Sequence, residues 1–261
     1  MGWDATINCP KSVSVQALVG GDTRILDAFS RACVVAFQEL EHFARARAGA
    51  DRKSYHETGN LLSASFTHFE NRLGEPHLHR HHVVFNTTWD PEAKDRGTEE
   101  KGGYRALDSR GLFVAQEWIT AVFRVELSYE LVSLGYSLTL DEKGAPQIAA
   151  VPKELCAGLS TRRAEIEAKV AQLRARAERA GITWTKKMEA AAADSAAKET
   201  RTPKDHDQDF LTSRERWRTI CHAHAFDPEG VADEAILRSR DLASHVYRTA
   251  HNASAVKDAV T

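Results

Sequence analysis

The stretch His77-Leu78-His79-Arg80-His81-His82-Val83-Val84-Phe85-Asn86-Thr87-Thr88 puts four of the chain's 12 histidines within six residues and runs on into β-branched and aromatic side chains. Such a composition reads as a strand. Residues two apart in a strand share a face, so His77, His79 and His81 project together while Leu78, Arg80 and His82 point the other way. Upstream, Leu61-Leu62-Ser63-Ala64-Ser65-Phe66-Thr67-His68 alternates in the same manner, and the connection from Glu70 to Pro76 is rich in turn residues. Two neighbouring antiparallel strands are expected, with His68 near the end of the first and opposite the histidine row of the second. Three imidazoles from adjacent strands can then meet at one point, which is how a sheet builds a three-nitrogen metal site with open coordination positions. The plainer alternative is a histidine-rich edge in which every ring is solvated. Ligating histidines usually pass their other ring proton to a carboxylate or carbonyl, and Asp4, on a short strand over residues 3–8, is the candidate for that role.

Working outward, Pro10 ends the strand at 3–8, because proline has no N–H to give to a ladder. After Gly20-Gly21, Asp22 can cap a helix whose apolar positions Ile25, Leu26, Phe29, Cys33, Phe37 and Leu40 keep a three- or four-residue spacing. Residues 90–104 are polar and contain glycine, so a loop is expected there. A second helix is expected over about 111–134, with Ile119, Val122, Phe123, Leu127, Leu131 and Leu134 on one face and Gly135 as its stop. Tyr129 and Tyr136 read as core or helix-end residues and Tyr55 as a loop residue. Residues 137–140 and 147–151 flank Glu142-Lys143-Gly144 as a hairpin. From residue 152 the composition turns helical; residues 160–204 carry 11 Lys/Arg against six Asp/Glu, 198–207 reads as a linker, and 208–261 as short helices. This order implies an α+β fold, an antiparallel sheet with helices on one face, with a core over 1–158 and a helical extension over 159–261. A doubly wound parallel sheet fits less well, since no glycine-rich phosphate loop follows any strand.

The 261 residues include 35 Lys+Arg against 37 Asp+Glu, for a formal net charge of -2, with 42% hydrophobic and 28% charged residues. Those values describe a globular chain, and no apolar run of about 18 residues is present to cross a bilayer. Met1-Gly2-Trp3-Asp4 opens no secretory signal pattern, and the widely spaced Cys9, Cys33, Cys156 and Cys221 contain no CxxC pair. A cytoplasmic location with reduced thiols is therefore expected. Near-neutral charge decides nothing about nucleic acid until the charges are located.

Several motifs, in order over about residues 3–230, resemble those of MobF-type conjugative relaxases, the TrwC/TraI class of HUH endonucleases. Trp3-Asp4-Ala5-Thr6-Ile7-Asn8-Cys9-Pro10-Lys11-Ser12-Val13-Ser14-Val15 is similar to "DxTFSAPKSVS". Thr58-Gly59-Asn60-Leu61-Leu62-Ser63-Ala64-Ser65-Phe66-Thr67-His68 looks like "TGNLxAAxFxH", and the segment from Pro76 to Asn86 resembles "PxLHTHxVVxN". Tyr104-Arg105-Ala106-Leu107-Asp108 and the segment from Ser160 to Glu167 match in kind. The resemblance implies a bacterial cytoplasmic enzyme that nicks and rejoins single-stranded DNA at an origin of transfer by tyrosine transesterification. It implies a divalent cation (Mg, Mn, Zn or Ni) on His68, His79 and His81, with Asp4 as the catalytic acidic residue beside them and beside the tyrosine. It implies as partners the hairpin and single strand of that origin, accessory relaxosome proteins and a secretion coupling protein, without membrane insertion. His77 and His82 match no ligand position. Lys11, Arg72, Arg80 and Arg105 flank the expected site and are candidates for phosphate contacts, and Trp3, Trp89 and Phe69 for base stacking.

The sequence departs from the family in one respect. Family members carry their catalytic tyrosines before the Asp motif, whereas three residues precede Asp4 here and none is tyrosine. None of Tyr55, Tyr104, Tyr129, Tyr136 and Tyr247 matches the nucleophile's position. A truncated product, a misassigned start, and a non-catalytic accessory module that keeps metal and DNA binding all fit this departure. Truncation is the expectation, because the strand at residue 3 begins abruptly while the later motifs are intact. On that expectation the chain alone binds metal and DNA but forms no covalent adduct. A cupin-like oxygenase would need a glutamate where Phe85-Asn86 stand, and a zinc deaminase a Pro-Cys-x-x-Cys that is absent.

Overall fold

The computed structural model describes residues 2–48, 54–94, 101–199 and 209–258. In chain order the elements are β1 (Gly2–Asn8), α1 (Lys11–Leu18), α2 (Arg24–Glu41), β2 (Arg45–Ala48), β3 (Ser54–Glu57), β4 (Ser63–Glu70), β5 (Pro76–Phe85), β6 (Thr88–Lys94), β7 (Lys101–Arg105) and α3 (Arg110–Ser133). They are followed by β8 (Leu138–Leu140), β9 (Pro146–Ile148), α4 (Lys153–Gly158), α5 (Thr161–Arg179), α6 (Lys186–Glu199), α7 (Phe210–Ala223) and α8 (Pro228–Asp258).

The histidine strand β5 lies in the middle of a three-stranded antiparallel sheet in the order β1-β5-β4. Its alternation separates two environments. Leu78, His82 and Val84 are buried on one face, where α2 packs: Phe37 stacks on His82 with ring centroids 4.6 Å apart. Arg80 shares that face, its guanidinium 5.6 Å over the Phe29 ring and bonded to Thr67 and Ser30. Phe29 in turn meets Phe123 of α3 edge-on at 5.9 Å. The opposite face holds Asp4, Thr6, Phe66, His68, His79 and His81, and the register pairs His79 with Asn8 and His68, and His81 with Thr6 and Phe66. Thus the fold is α+β, with helices behind the sheet and an uncovered histidine face.

Several expectations are corrected. The loop expected over 90–104 contains the β6–β7 ribbon among its described residues, with 95–100 outside them. Gly102 permits that ribbon to close: at φ +99° a Cβ would sit 2.7 Å from the Trp89 ring, and only glycine takes that conformation freely. Helix α1 was not expected at all. Every residue from Ser12 to Leu18 in it is buried, so it shows no polar stripe by which a helix is recognised. Residues 228–258 form one helix of 31 residues, not several short ones, and most of the expected linker, 200–207, lies outside the described residues. Tyr55 lies in β3, not in a loop, while Tyr129, 69% exposed near the end of α3, is a helix-end residue as one of its two readings had it.

The main core joins Val13, Phe29, Leu78, Leu127 and Leu131 with Trp217, Cys221, Phe226 and Ala235, so it draws on both sides of residue 158. Helices α5 and α6 instead bury a small cluster of their own, Val170, Ala192 and Ala196. No described helix is long and apolar enough to cross a membrane.

Asp22 ties α2 to the end of α3. Its carboxylate accepts the backbone N–H of Arg24 at 3.1 Å, the Arg24 guanidinium at 2.7 and 2.8 Å, and the Tyr136 hydroxyl at 2.7 Å. Burial alone pushes this carboxyl up, but the bonds from Arg24 and Tyr136 outweigh it and hold it below the usual carboxylate range. A carboxyl depressed in the folded state stabilises the fold above its unfolded value of about 3.9, and that contribution is lost as pH falls through the folded value. Thermal melting of the wild type is therefore expected to weaken steeply below about pH 4, and Asp22→Asn to flatten that acid limb. Melting curves for the two proteins with the same acid limb would count against this assignment.

Candidate metal centre

His79 and His81 lie two residues apart on β5, and His68 sits directly across from His79 on β4. The three rings form a nearly equilateral set, with centroids 5.2, 5.2 and 5.1 Å apart. Each offers one nitrogen, and the three nitrogens lie within 4.8 Å of one another. His68 is exposed, His79 buried and His81 between them, so the cluster opens outward from a closed base.

The remaining ring nitrogens of the β5 pair are already committed. His79 Nδ1–H donates to the His77 carbonyl at 2.8 Å. His81 Nδ1–H donates to the Asp4 carboxylate at 2.8 and 2.9 Å, and Thr6 Oγ1, 3.1 Å from the same nitrogen, donates to Asp4 Oδ1. A proton fixed on Nδ1 leaves a lone pair on Nε2, the tautomer a cation requires. The donor set and its outer partners therefore suit a divalent cation that accepts imidazole. Burial pushes His79 below the usual histidine range, the His77 bond opposes this, and His81 and His68 reinforce it. It is thus neutral at pH 7, as metal ligation needs.

His77 and His82 are excluded from the cluster by different means. His77 shares the face, but its Nε2–H donates to Asn8 Oδ1 at 3.1 Å, and burial first, then His79 and Lys11, lower it to about 3. His82 points into the core, with Nδ1 at 2.8 Å from Ser65 Oγ, and burial followed by Arg80 lowers it to about 4.

The four basic residues expected around the site are distributed unequally. Arg80 does not flank the triad, because the alternation that aligns His79 and His81 turns Arg80 onto the α2 side. Lys11 spends its Nζ on the Pro76 carbonyl at 2.7 Å, and burial, opposed by Glu75, lowers it to about 8. Arg72 lies in the β4–β5 turn, and Arg105 ends β7. Beside Arg105, Trp89 and Tyr104 meet edge-on at 5.2 Å while remaining 44% and 66% exposed. Trp3 is half-buried against a small core of Ala44, Val84 and Leu107, and Phe69 packs 5.8 Å from Phe210. Sequence reasoning passed over two residues that bear on the site, Glu75 and Trp217. Both act through the turn before β5, across 86 and 143 residues of chain, a distance no local pattern reveals.

Known proteins share this chain's sequence and fold. The model of the TrwC relaxase family matches residues 1–224. The multifunctional conjugation protein TraI of Escherichia coli is 30% identical over 241 residues, which is 91% of this chain and 13% of that protein. The chain therefore spans about an eighth of the length of the curated relatives it matches. Among solved structures, the conjugative relaxase TrwC in a copper-bound complex with oriT DNA superposes with a TM-score of 0.71 at 31% identity, over 87% of this chain and 72% of that one. TrwC complexed with a 27-mer DNA comprising the recognition hairpin and the cleavage site gives a TM-score of 0.69 at 29% identity. With a family match across most of its length and that family's fold, the chain belongs to the TrwC relaxase family.

Proposed function

We propose that this chain is the DNA-processing part of a conjugative relaxase. It binds the hairpin and adjoining single strand of an origin of transfer and serves their site- and strand-specific nicking and rejoining by tyrosine transesterification. The observation that carries the reading is the His68–His79–His81 cluster, with the Nδ1 protons of its β5 pair pinned, in a chain matched by this family. When bound there, a divalent cation such as Mg, Mn, Zn or Ni supplies Lewis-acid stabilisation of charge growing on the scissile phosphate.

The chain's own residues prepare that site. His79 and the His77 carbonyl form its closed base, while exposed His68 faces the approaching strand. Asp4 holds the His81 ring and offsets positive charge placed on it. Arg72 and Arg105 supply phosphate contacts at the margins, and the exposed Trp89–Tyr104 pair offers faces on which bases stack. Lys11 and Arg80 support β5 rather than reach the DNA, since they bond to Pro76, Thr67 and Ser30 within the protein.

The reaction also needs a tyrosine hydroxyl as nucleophile. Among the described side chains, Tyr136 donates to Asp22, and burial first, then that bond, raises it well above the ordinary phenol value. The Tyr55 ring lies 4.4 Å under Arg45, Tyr104 packs on Trp89, and Tyr129 stands exposed on α3. None of these belongs to β1, β4 or β5, the strands that build the triad. With the four described tyrosine side chains off those strands, and Tyr247 on α8, the chain is proposed to bind without forming a covalent adduct. The test uses hairpin oligonucleotides with a single-stranded 3′ extension. Anisotropy titrations should show binding strengthened by Mn2+ and weakened by EDTA, and a denaturing gel no protein–DNA band. Binding indifferent to both additives would overturn the metal reading, and a covalent band would overturn the adduct-free reading and point to Tyr55 or Tyr247.

A further inference from the structure

The turn that leads into the histidine strand is held by two helices of the helical extension, α5 and α7. Asn71 closes the turn on itself: its Oδ1 accepts the N–H groups of Leu73 and Glu75, and its Nδ2 donates to Glu75 Oε2 at 2.6 Å. The other Glu75 oxygen accepts both the backbone N–H and the hydroxyl of Thr161, the first residue of α5. Ser160, at the N-cap position, makes no side-chain cap bond, so Glu75 caps α5 from another part of the chain and places its charge at the positive end of that helix. One residue earlier, the Gly74 carbonyl accepts Trp217 Nε1 at 2.8 Å and the Arg216 guanidinium, both from α7. One residue later, the Pro76 carbonyl accepts Lys11 Nζ. Residues 74, 75 and 76 are thus each fixed in succession.

The residue that follows is His77, whose carbonyl fixes the ring of His79. A carbonyl that is the outer partner of a ligating histidine sets both its tautomer and its orientation. We infer that Glu75 is a positioning residue for the triad: by tying the β4–β5 turn to α5 it places the His77 carbonyl, and through it Nε2 of His79. Glu75 is 7% exposed, too enclosed to meet substrate itself. The metal site thereby depends on helices that begin more than 80 residues later.

This inference rests on the proposed metal site, and the test separates the two. Mn2+ affinity by calorimetry and the ligand-field absorption of bound Co2+ are measured on the full chain for wild type, Glu75→Ala, Glu75→Gln and Glu189→Ala. Loss of an outer partner of a ligating group costs about 10- to 100-fold in metal affinity, and Glu75 acts one step further out, so Glu75→Ala should weaken Mn2+ by about 10-fold and alter the Co2+ spectrum. Glu75→Gln keeps an oxygen for Thr161 and should lie closer to wild type in both readouts. Glu189→Ala loosens the α5–α6 pair by freeing Arg174 and Trp184 and should leave metal binding unchanged. Wild-type affinity and spectrum in Glu75→Ala, with or without a lower melting temperature, would overturn the inference alone, as would equal weakening by Glu189→Ala. A wild type that binds neither ion would overturn the metal reading as well.

Discussion

His79→Ala is expected to cost at least about 100-fold in Mn2+ affinity, beyond the range seen when only an outer partner of a ligand is lost. The reason is positional as much as chemical. His79 is the buried member of the triad, 8% exposed, with its Nδ1 fixed 2.8 Å from a backbone carbonyl, so its Nε2 is the least mobile of the three donors. The informative comparison is His77→Ala. It removes an imidazole only two residues away and on the same face, yet leaves the His77 backbone carbonyl that holds His79 in place. Calorimetry should therefore find His77→Ala within a few-fold of wild type while His79→Ala barely binds. Equal losses from the two substitutions would mean that the histidine row binds metal diffusely and that the triad is wrongly drawn. Asp4→Asn should fall between them, at about 10-fold, because an amide still accepts from His81 Nδ1 but no longer offsets the charge a bound cation places on that ring.

How much of this was legible in the sequence follows from where the physics is local. Alternation over residues 61–68 and 77–88 places β4 and β5, and a strand's two-residue period then separates His79 and His81 from Arg80 and His82 without further information. Regular apolar spacing likewise finds α2 and α3, whose outer faces reach solvent. The same logic fails for α1, which is buried on all sides, and for β6 and β7, where Pro91, Gly102 and Gly103 suggest a loop although Trp89 and Tyr104 pair across the ribbon. Arg80 shows a different failure. Its nearness to the histidines in sequence suggested a phosphate contact, but nearness along a strand is opposite to nearness on a face. Glu75 and Trp217 were passed over because their contacts span the chain. An acidic residue in a turn and a tryptophan in a helix carry no local mark of the carbonyl or helix end they will meet.

Trp217→Ala is expected to cost about 3–5 kcal/mol, the range for emptying a buried aromatic site. Trp217 is fully buried and sits in the same core as Leu78 and Leu131. At about 2–4 °C per kcal/mol for a chain of this size, the melting temperature should fall by roughly 6–20 °C. Most of that loss is apolar contact rather than the Nε1 bond, because Arg216 continues to donate to the Gly74 carbonyl. Trp217→Phe should accordingly recover much of the stability while lacking the bond. The manner of melting matters more than its size. If the extension were a unit set upon a self-sufficient sheet, the alanine variant would lose its α7 contacts early and the sheet would melt later at its wild-type temperature. A core shared by Val13, Leu78, Leu131 and Trp217 instead requires one transition, seen together by far-ultraviolet dichroism and by tryptophan fluorescence. Trp217→Ala should shift both probes equally, and two separated transitions would show that the helices after residue 158 fold apart from the sheet that carries the histidines.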